Sequence, residues 1–340
     1  MAAGRASHTP ALTGRPTRIR RIAARGAAIA GGVLLLLVVW GAGIEPRLVD
    51  EREETVVLPG LPPAWGGQRV AFIADLQVGM WLANTDTIRR IVARVVEDGP
   101  AALLIGGDFL YHPTEESGEP REAREELERE DVRVLRTQIR QVVSLLEPVT
   151  AAGIATIAVL GNHDYAMRHP DSLQLPAVAN ELLEVRRAAG VTVLRNQAVA
   201  LAAPGKSQPL SERLYVAGLD EWAARATDVK ATLAQIPDDQ PRLLLMHDPL
   251  AFQQLPAGSA PVALAAHTHG GQIRLPFLPR WSWMSLVGEA SGATDGWIAK
   301  GFGADGNRLY VNRGIGFSVV PVRVNCRPEL TWLTLDASRH

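Results

Sequence analysis

Cysteine is almost absent from this sequence of 340 residues, and Cys326 alone excludes an intramolecular disulfide framework and any CxxC metal or redox motif. Charge of one sign is not in excess either. Lys+Arg of 35 against Asp+Glu of 36 leaves a formal net charge of -1, so no nucleic-acid binding by phosphate neutralisation is expected. Only Lys206, Lys230 and Lys300 are lysine; arginine carries the rest of the positive charge. No Gly-x-x-x-x-Gly-Lys-Ser/Thr loop is present, which disfavours an ATP-driven machine, and no Gly-x-Ser-x-Gly supplies a covalent nucleophile. What the chain has is apolar mass. At 47% apolar residues it can build one large core or two modest domains, and it is too apolar for a disordered chain.

Charge organises the first fifty residues. Residues 1–25 carry Arg5, Arg15, Arg18, Arg20, Arg21 and Arg25 with no acid; 26–44 are uncharged; Glu45 and the acidic stretch Asp50–Glu54 follow. Nineteen apolar residues at 1.5 Å each span about 28 Å, the thickness of a hydrocarbon core. Arginine before and acid after predict a single-pass helix in the cell membrane, N-terminus in the cytoplasm and the remaining chain on the extracytoplasmic side. Gly41-Ala42-Gly43 resembles a small-residue cleavage site, so a cleaved signal peptide rivals an uncleaved signal anchor. The run is long for a signal peptide, which favours the anchor. The expected organisation is a cytoplasmic tail over 1–25, the anchor over 26–44, a linker over 45–67 and one α/β domain over 68–340.

Beyond Pro63 the pattern alternates strand and helix. Strands are expected at Arg69–Ala74, Ala101–Ile105, Ile154–Leu160, Leu214–Ala217, Leu243–Met246 and Val262–Ala265. Ile88, Ile91, Val92, Val95 and Val96 keep helical spacing up to Asp98-Gly99-Pro100, and a further helix is expected near Ala177–Ala189. Glu115–Arg136, with i,i+4 pairs such as Glu125–Arg129, reads as a solvated helix. From Gly271 onward short strands take over, at Gln272–Leu275, Trp297–Lys300, Leu309–Asn312 and Leu330–Leu335.

The informative feature is what closes each strand. Ala71–Ala74 leads to Asp75-Leu76-Gln77, and Leu103–Ile105 to Gly106-Gly107-Asp108. Ala158–Leu160 leads to Gly161-Asn162-His163-Asp164, Leu243–Met246 to His247-Asp248, and Ala263–Ala266 to His267-Thr268-His269-Gly270-Gly271-Gln272. In open α/β sheets the ligand crevice lies outside the carboxyl ends of the strands, so these clusters should converge. Carboxylates, amides and imidazoles together suit Mn, Fe or Zn better than Ca. Each piece alone has a blander reading: an Asp after a strand as a turn residue, His247 as a core histidine, Asn162 as a left-handed turn former. Five in series do not. Histidines at i and i+2 point to opposite sides of an extended chain, so His267 and His269 can serve two metals if the chain bends there.

The series resembles the calcineurin-like metallophosphoesterase superfamily, whose blocks run Asp-x-His, Gly-Asp, Gly-Asn-His-Asp/Glu, His and Gly-His-x-His. The likeness covers residues 56–336, extends to Asn312-Arg313-Gly314-Ile315-Gly316 and Arg327-Pro328-Glu329-Leu330, and with the anchor looks like the membrane-anchored bacterial branch. It implies a four-layer α/β/β/α sandwich and two divalent ions, of Mn, Fe or Zn with Mg possible. Asp75, Gln77, Asp108 and His269 would hold the first ion, Asp108 would bridge, and Asn162, His247 and His267 would complete the second site. His163 would meet the phosphate and leaving group, and Asp164 would influence it. Gln77 stands where the family has histidine, and Ala266 where it has glycine, tolerable if φ there is negative.

Two ions on either side of an in-line displacement at phosphorus need no covalent nucleophile. An amidohydrolase also uses a His-x-His pair, but early in the chain, whereas here the pair closes a series opened by Asp75. The alternative of another class is a tethered, non-catalytic binding module with a degenerate first site, resting on Gln77 alone. The apolar segment Leu275–Met284 reads as a lip packed on its own domain or, with Trp281 and Trp283 at headgroup level, as one that meets lipid. The expected partners are the membrane and a phosphorylated small molecule or lipid; no protein partner is implied.

Overall fold

Alternation along the strands sets the layers. In β2 (Arg69–Ile73), Val70 and Phe72 point to one face of a sheet and Ala71 and Ile73 to the other, and all four are buried. The computed structural model describes residues 18–111, 121–168, 179–183, 189–275, 278–286 and 293–337. β2, β3 (Ala102–Ile105), β4 (Ala155–Ala158) and β5 (Val191–Val193) run parallel; β14 (Glu329–Ala337) is antiparallel to β2, and β1 (Asp50–Leu58) is parallel to β14. A second six-stranded sheet has the order β12 (Gly296–Trp297), β13 (Leu309–Val311), β9 (Ala263–Ala265), β8 (Arg242–Leu245), β7 (Leu214–Gly218), β6 (Gln197–Leu201). A ribbon of β10 (Arg274–Leu275) and β11 (Leu278–Ser282) stands apart.

The sheets meet face to face, Val70, Phe72, Leu104 and Ile157 packing against Val216, Leu243, Leu245 and Leu264. The first sheet's outer face carries α2 (Thr85–Asp98) and α3 (Arg121–Ala151) through Ile88, Ile91, Val95, Ile139 and Val142. The second sheet's outer face is covered by Ile236, Phe252 and Leu255. This is the expected α/β/β/α sandwich. Ahead of it, α1 (Arg18–Val39) runs on through a π-helical turn, Trp40–Ile44, and a 3₁₀ turn, Glu45–Arg47. The stretch Arg20–Arg47 is long and apolar enough to cross a membrane, and nearly all of it is exposed.

The structure departs from the sequence reading in several places. The segment 45–67 is not a linker, because β1 pairs with β14 along its whole length. Val56 and Leu58 are buried as in any strand, while its charged half is held by ion pairs: Asp50 binds Arg313, and Arg52 lies 3.8 Å from Glu329. β5 and β6 were not expected. Gln272 belongs to a turn with φ 52°, so the following strand starts only at Arg274. Of the helix near Ala177–Ala189, 179–183 are helical, while 177–178 and 184–188 lie outside the described residues, as do 1–17 and 112–120.

Candidate metal centre

The carboxyl ends of strands from both sheets meet in one buried place. His247, after β8, puts Nδ1 2.7 Å from the Gly106 carbonyl after β3, which closes the gap between the sheets. A carbonyl only accepts, so Nδ1 carries the proton and Nε2 is turned to the cluster. That Nε2 lies 3.3 Å from Asp108 Oδ2, 3.2 Å from Asn162 Oδ1 and 3.1 Å from His267 Nδ1. Asn162 Oδ1 is also 3.0 Å from His267 Nδ1, its amide nitrogen being occupied in donating to the Met167 carbonyl.

Two sets of three side chains each bring one donor atom within 4.8 Å of the others: Asp108, His247 and His267, and Asp75, Asp108 and His269. Asp108 belongs to both. Gln77 lies beside it, Nε2 donating to Asp108 Oδ2 at 2.7 Å. All seven residues named in the two expected sites are thus in one cluster, and all but His267 are buried. Five of them, Asp75, Gln77, Asp108, His267 and His269, have positive φ between 47° and 71°, in the left-handed region. Such backbone strain persists only where surrounding structure imposes it, and it gathers at functional sites. It also resolves the His-x-His geometry: His267 and His269 both turn left-handed around a right-handed Thr268, and each joins a different set. Ala266 is buried without positive φ, as its tolerance required.

Four buried polar atoms here have no hydrogen-bond partner: Asp75 Oδ2, Gln77 Oε1, His163 Nδ1 and His269 Nδ1. An unsatisfied buried polar atom costs about 1–3 kcal/mol, so four in one cluster mark a place built for something else to bind. Burial pushes the Asp75 carboxyl up to about 7 against the pull of His247. It also pushes His163 down to about 4 and His269 well below its ordinary range. Burial opposes charging His247 too, but Asp108, Glu221 and Asp75 outweigh it and raise that imidazole well above its usual value. Carboxylates, amide oxygens and imidazoles with free lone pairs fit divalent cations of the Mn, Fe, Zn and Mg type.

Sequence reasoning missed the loop that supports this cluster. Gly314, φ 67°, lies so close to Asp75 that a Cβ there would overlap the carboxylate. Arg323, fully buried, donates to the carbonyls of Arg313 and Gly316 and so holds this loop in place. The Asn312–Gly316 resemblance was the signal for it. Asp164 is expected to influence His163, and what the structure adds is a set of backbone bonds. Its two carboxylate oxygens accept the backbone N–H groups of Phe109, Leu110 and Gly161, joining the loop of Asp108 to the loop of Asn162 and His163. Asp164→Asn turns an acceptor into a donor facing a donor. It is expected to cost about 1–3 kcal/mol of stability, read as a lowered Tm by thermal denaturation. An unshifted Tm would show that these bonds carry little.

Known proteins agree with the geometry. Phosphodiesterase YaeI of Escherichia coli is 30% identical over 78% of this chain and 82% of its own. The UDP-2,3-diacylglucosamine pyrophosphatase LpxG of Chlamydia trachomatis is 24% identical over 83% of this chain and 88% of its own. A transmembrane protein with metallophosphoesterase domain from Danio rerio is 25% identical over 91% of this chain and 62% of its own. Residues 68–271 match the calcineurin-like phosphoesterase family, and with the strand-end cluster described above this chain belongs to that family of phosphoester hydrolases.

Proposed function

We propose that the chain is a membrane-tethered hydrolase of a phosphodiester, a lipid phosphate or a pyrophosphate, working with two divalent ions. The observation that carries this reading is the group of four unpartnered buried atoms on Asp75, Gln77, His163 and His269, set among two carboxylates and the His247–His267 pair. Asp75, Gln77, Asp108 and His269 hold the first ion. Asp108 is shared, and Asn162, His247 and His267 complete the second site. When bound, the ions lower the pKa of a water and offset charge developing on the phosphoryl oxygens.

The protein's own part is positional. The Gly106 carbonyl fixes the tautomer of His247, and the Met167 carbonyl fixes which end of the Asn162 amide faces inward. His163, one residue beyond Asn162, meets the phosphoryl group, and as the neutral imidazole that burial favours it can give a ring N–H hydrogen bond to the leaving oxygen. Asp164 is a positioning residue through the backbone it ties. Lipid and pyrophosphate substrates are suggested by LpxG, named as a UDP-2,3-diacylglucosamine pyrophosphatase, and the diester by YaeI, named as a phosphodiesterase. The test is a hydrolysis panel across monoester, diester, pyrophosphate and lipid phosphates with Mn, Zn, Fe and Mg, alongside metal analysis of the purified chain. Two ions per chain and metal-dependent turnover are expected. Full activity after prolonged chelation, or one ion or none, would overturn the reading and favour a binding module.

The N-terminal helix reads as a retained anchor rather than a cleaved signal. Gly41 is buried, a Cβ on it would overlap Val322, Val324 and the Arg323 carbonyl, and its own carbonyl accepts from Arg323 N. Cutting at Gly41-Ala42-Gly43 would remove that contact. The arginines before 26 and the acids after 44 favour an orientation with the domain outside the cytoplasm. Protease added to intact spheroplasts is expected to digest the domain; protection until the membrane is broken would reverse the orientation.

A further inference from the structure

The described residues include three exposed tryptophans: Trp40 at 41% exposure, Trp81 at 74% and Trp281 at 45%. Single exposed apolar residues are ordinary, but these three sit on segments fastened to one place, the end of the apolar helix. Trp40 ends the apolar helix. Trp81 precedes Asn84 by three residues, and Asn84 Nδ2 donates to the Pro46 carbonyl, 2.7 Å away, just past that helix; Thr87 Oγ1 reaches the same carbonyl at 3.0 Å. Trp281 adjoins Ser282, which pairs with Arg274, whose N–H donates to Val324, a neighbour of Gly41. Both loops are therefore fastened to the segment where the helix leaves the domain.

The same loops lead to the centre. Three residues separate Trp81 from Gln77, and the chain from His269 runs through Gln272 to exposed Leu275 and the ribbon of Trp281. Leu82, also exposed, widens the patch. Trp283, the other tryptophan of this segment, is half-buried and does not contribute. Tryptophan suits a membrane–water boundary because its ring is apolar and its N–H polar, and aromatic belts mark that boundary; Trp40 Nε1 donates to Glu45 Oε2 at 2.6 Å, just past the apolar run.

We propose that Trp40, Trp81–Leu82 and Leu275/Trp281 form one surface seated in the interface of the bilayer that the helix crosses. The side of the metal centre carrying Gln77 and His269 then opens onto lipid headgroups. This rests on the reading of the chain as a tethered hydrolase, and it narrows the substrates to phosphoesters presented at that interface. A helix crossing the bilayer brings this edge to the membrane by geometry alone, so the occupant is the lipid surface and not a second copy.

The test uses the full chain in nanodiscs of phosphatidylcholine and phosphatidylglycerol, with part of the phosphatidylcholine dibrominated as a contact quencher. The comparison is with a Trp81→Phe/Trp281→Phe variant and with Trp222→Phe. Two of three lipid-contacting tryptophans are removed in the double variant, so lipid-quenchable emission should fall by roughly two-thirds. Trp222→Phe should leave it unchanged. Iodide quenching of the parent gives a second reading that needs no variant: the exposed tryptophans should be shielded in discs. Unchanged lipid quenching in the double variant with strong iodide quenching of the parent would overturn the proposal, as would two chains per disc with the patch shielded only in that dimer. Turnover of a water-soluble diester by the parent is scored separately. Absence of turnover there and with every lipid phosphate and pyrophosphate of the hydrolysis panel would sink the hydrolase reading without touching the quenching result.

Discussion

Replacing His247 with alanine is expected to reduce phosphoester turnover by far more than the roughly 100-fold that loss of an outer partner of a metal ligand costs. The imidazole sits at the junction of the two sheets, Nδ1 on Gly106 and Nε2 among Asp108, Asn162 and His267. On the proposed reading its removal takes away one donor of the second ion, and it frees the Gly106 carbonyl at a cost of about 1–3 kcal/mol. Such a cost lowers Tm without unfolding a domain of this size. Asn162→Ala is the companion, since its oxygen touches both histidines. Metal content, kcat and Tm are read together: one ion lost per chain, kcat collapsed and a folded protein. Turnover within about tenfold of the parent in both variants, with two ions retained, would mean that this cluster is not the reacting centre.

Much of that centre can be read from residues alone because it hangs on buried parallel strands. Runs such as Ala71–Ile73, Leu103–Ile105 and Leu243–Leu245 have both faces covered, so they are continuously apolar, and the first polar residue marks the strand end. β1 hid for the opposite reason. Asp50, Glu51, Arg52, Glu53 and Glu54 look like a solvated linker, and the ion partners that make them a strand, Arg313 and Glu329, lie far along the chain. The left-handed backbone of Asp75, Gln77, Asp108, His267 and His269 has no local signature, because it is imposed by loops such as Gly314 and Gly316 pressing on Asp75 and Gln77. Asp164 shows the limit of motif reasoning: it accepts the main-chain N–H groups of Phe109, Leu110 and Gly161, and no spacing reveals those bonds.

Gln77→His is expected to tighten the first ion's binding by at least about tenfold and to move its preference toward Zn or Fe. As it stands, the Gln77 amide divides its duties. The nitrogen donates to Asp108 Oδ2, and the oxygen is left buried and free, so the end able to ligate is an amide oxygen. Oxygen donors suit Mn and Mg, whereas imidazole is the better donor toward Zn and Fe. The first site then has two carboxylates, one amide oxygen and the single imidazole of His269, against the two imidazoles, His247 and His267, of the second. On the proposed reading the first ion is therefore the weaker one. The backbone accommodates the change: at φ 49°, position 77 lies in the left-handed region, where histidine is better tolerated than most side chains. Gly316 packs close to the Gln77 Cβ, and that contact is the same for either residue. Calorimetric titration of metal into stripped full-length protein separates the cases. Two unequal sites in the natural chain, and a first site tightened in Gln77→His, are expected. Two indistinguishable sites, or no tightening, would show that the amide oxygen is not a ligand; residue 77 then serves only to hold Asp108, and three side chains hold the first ion.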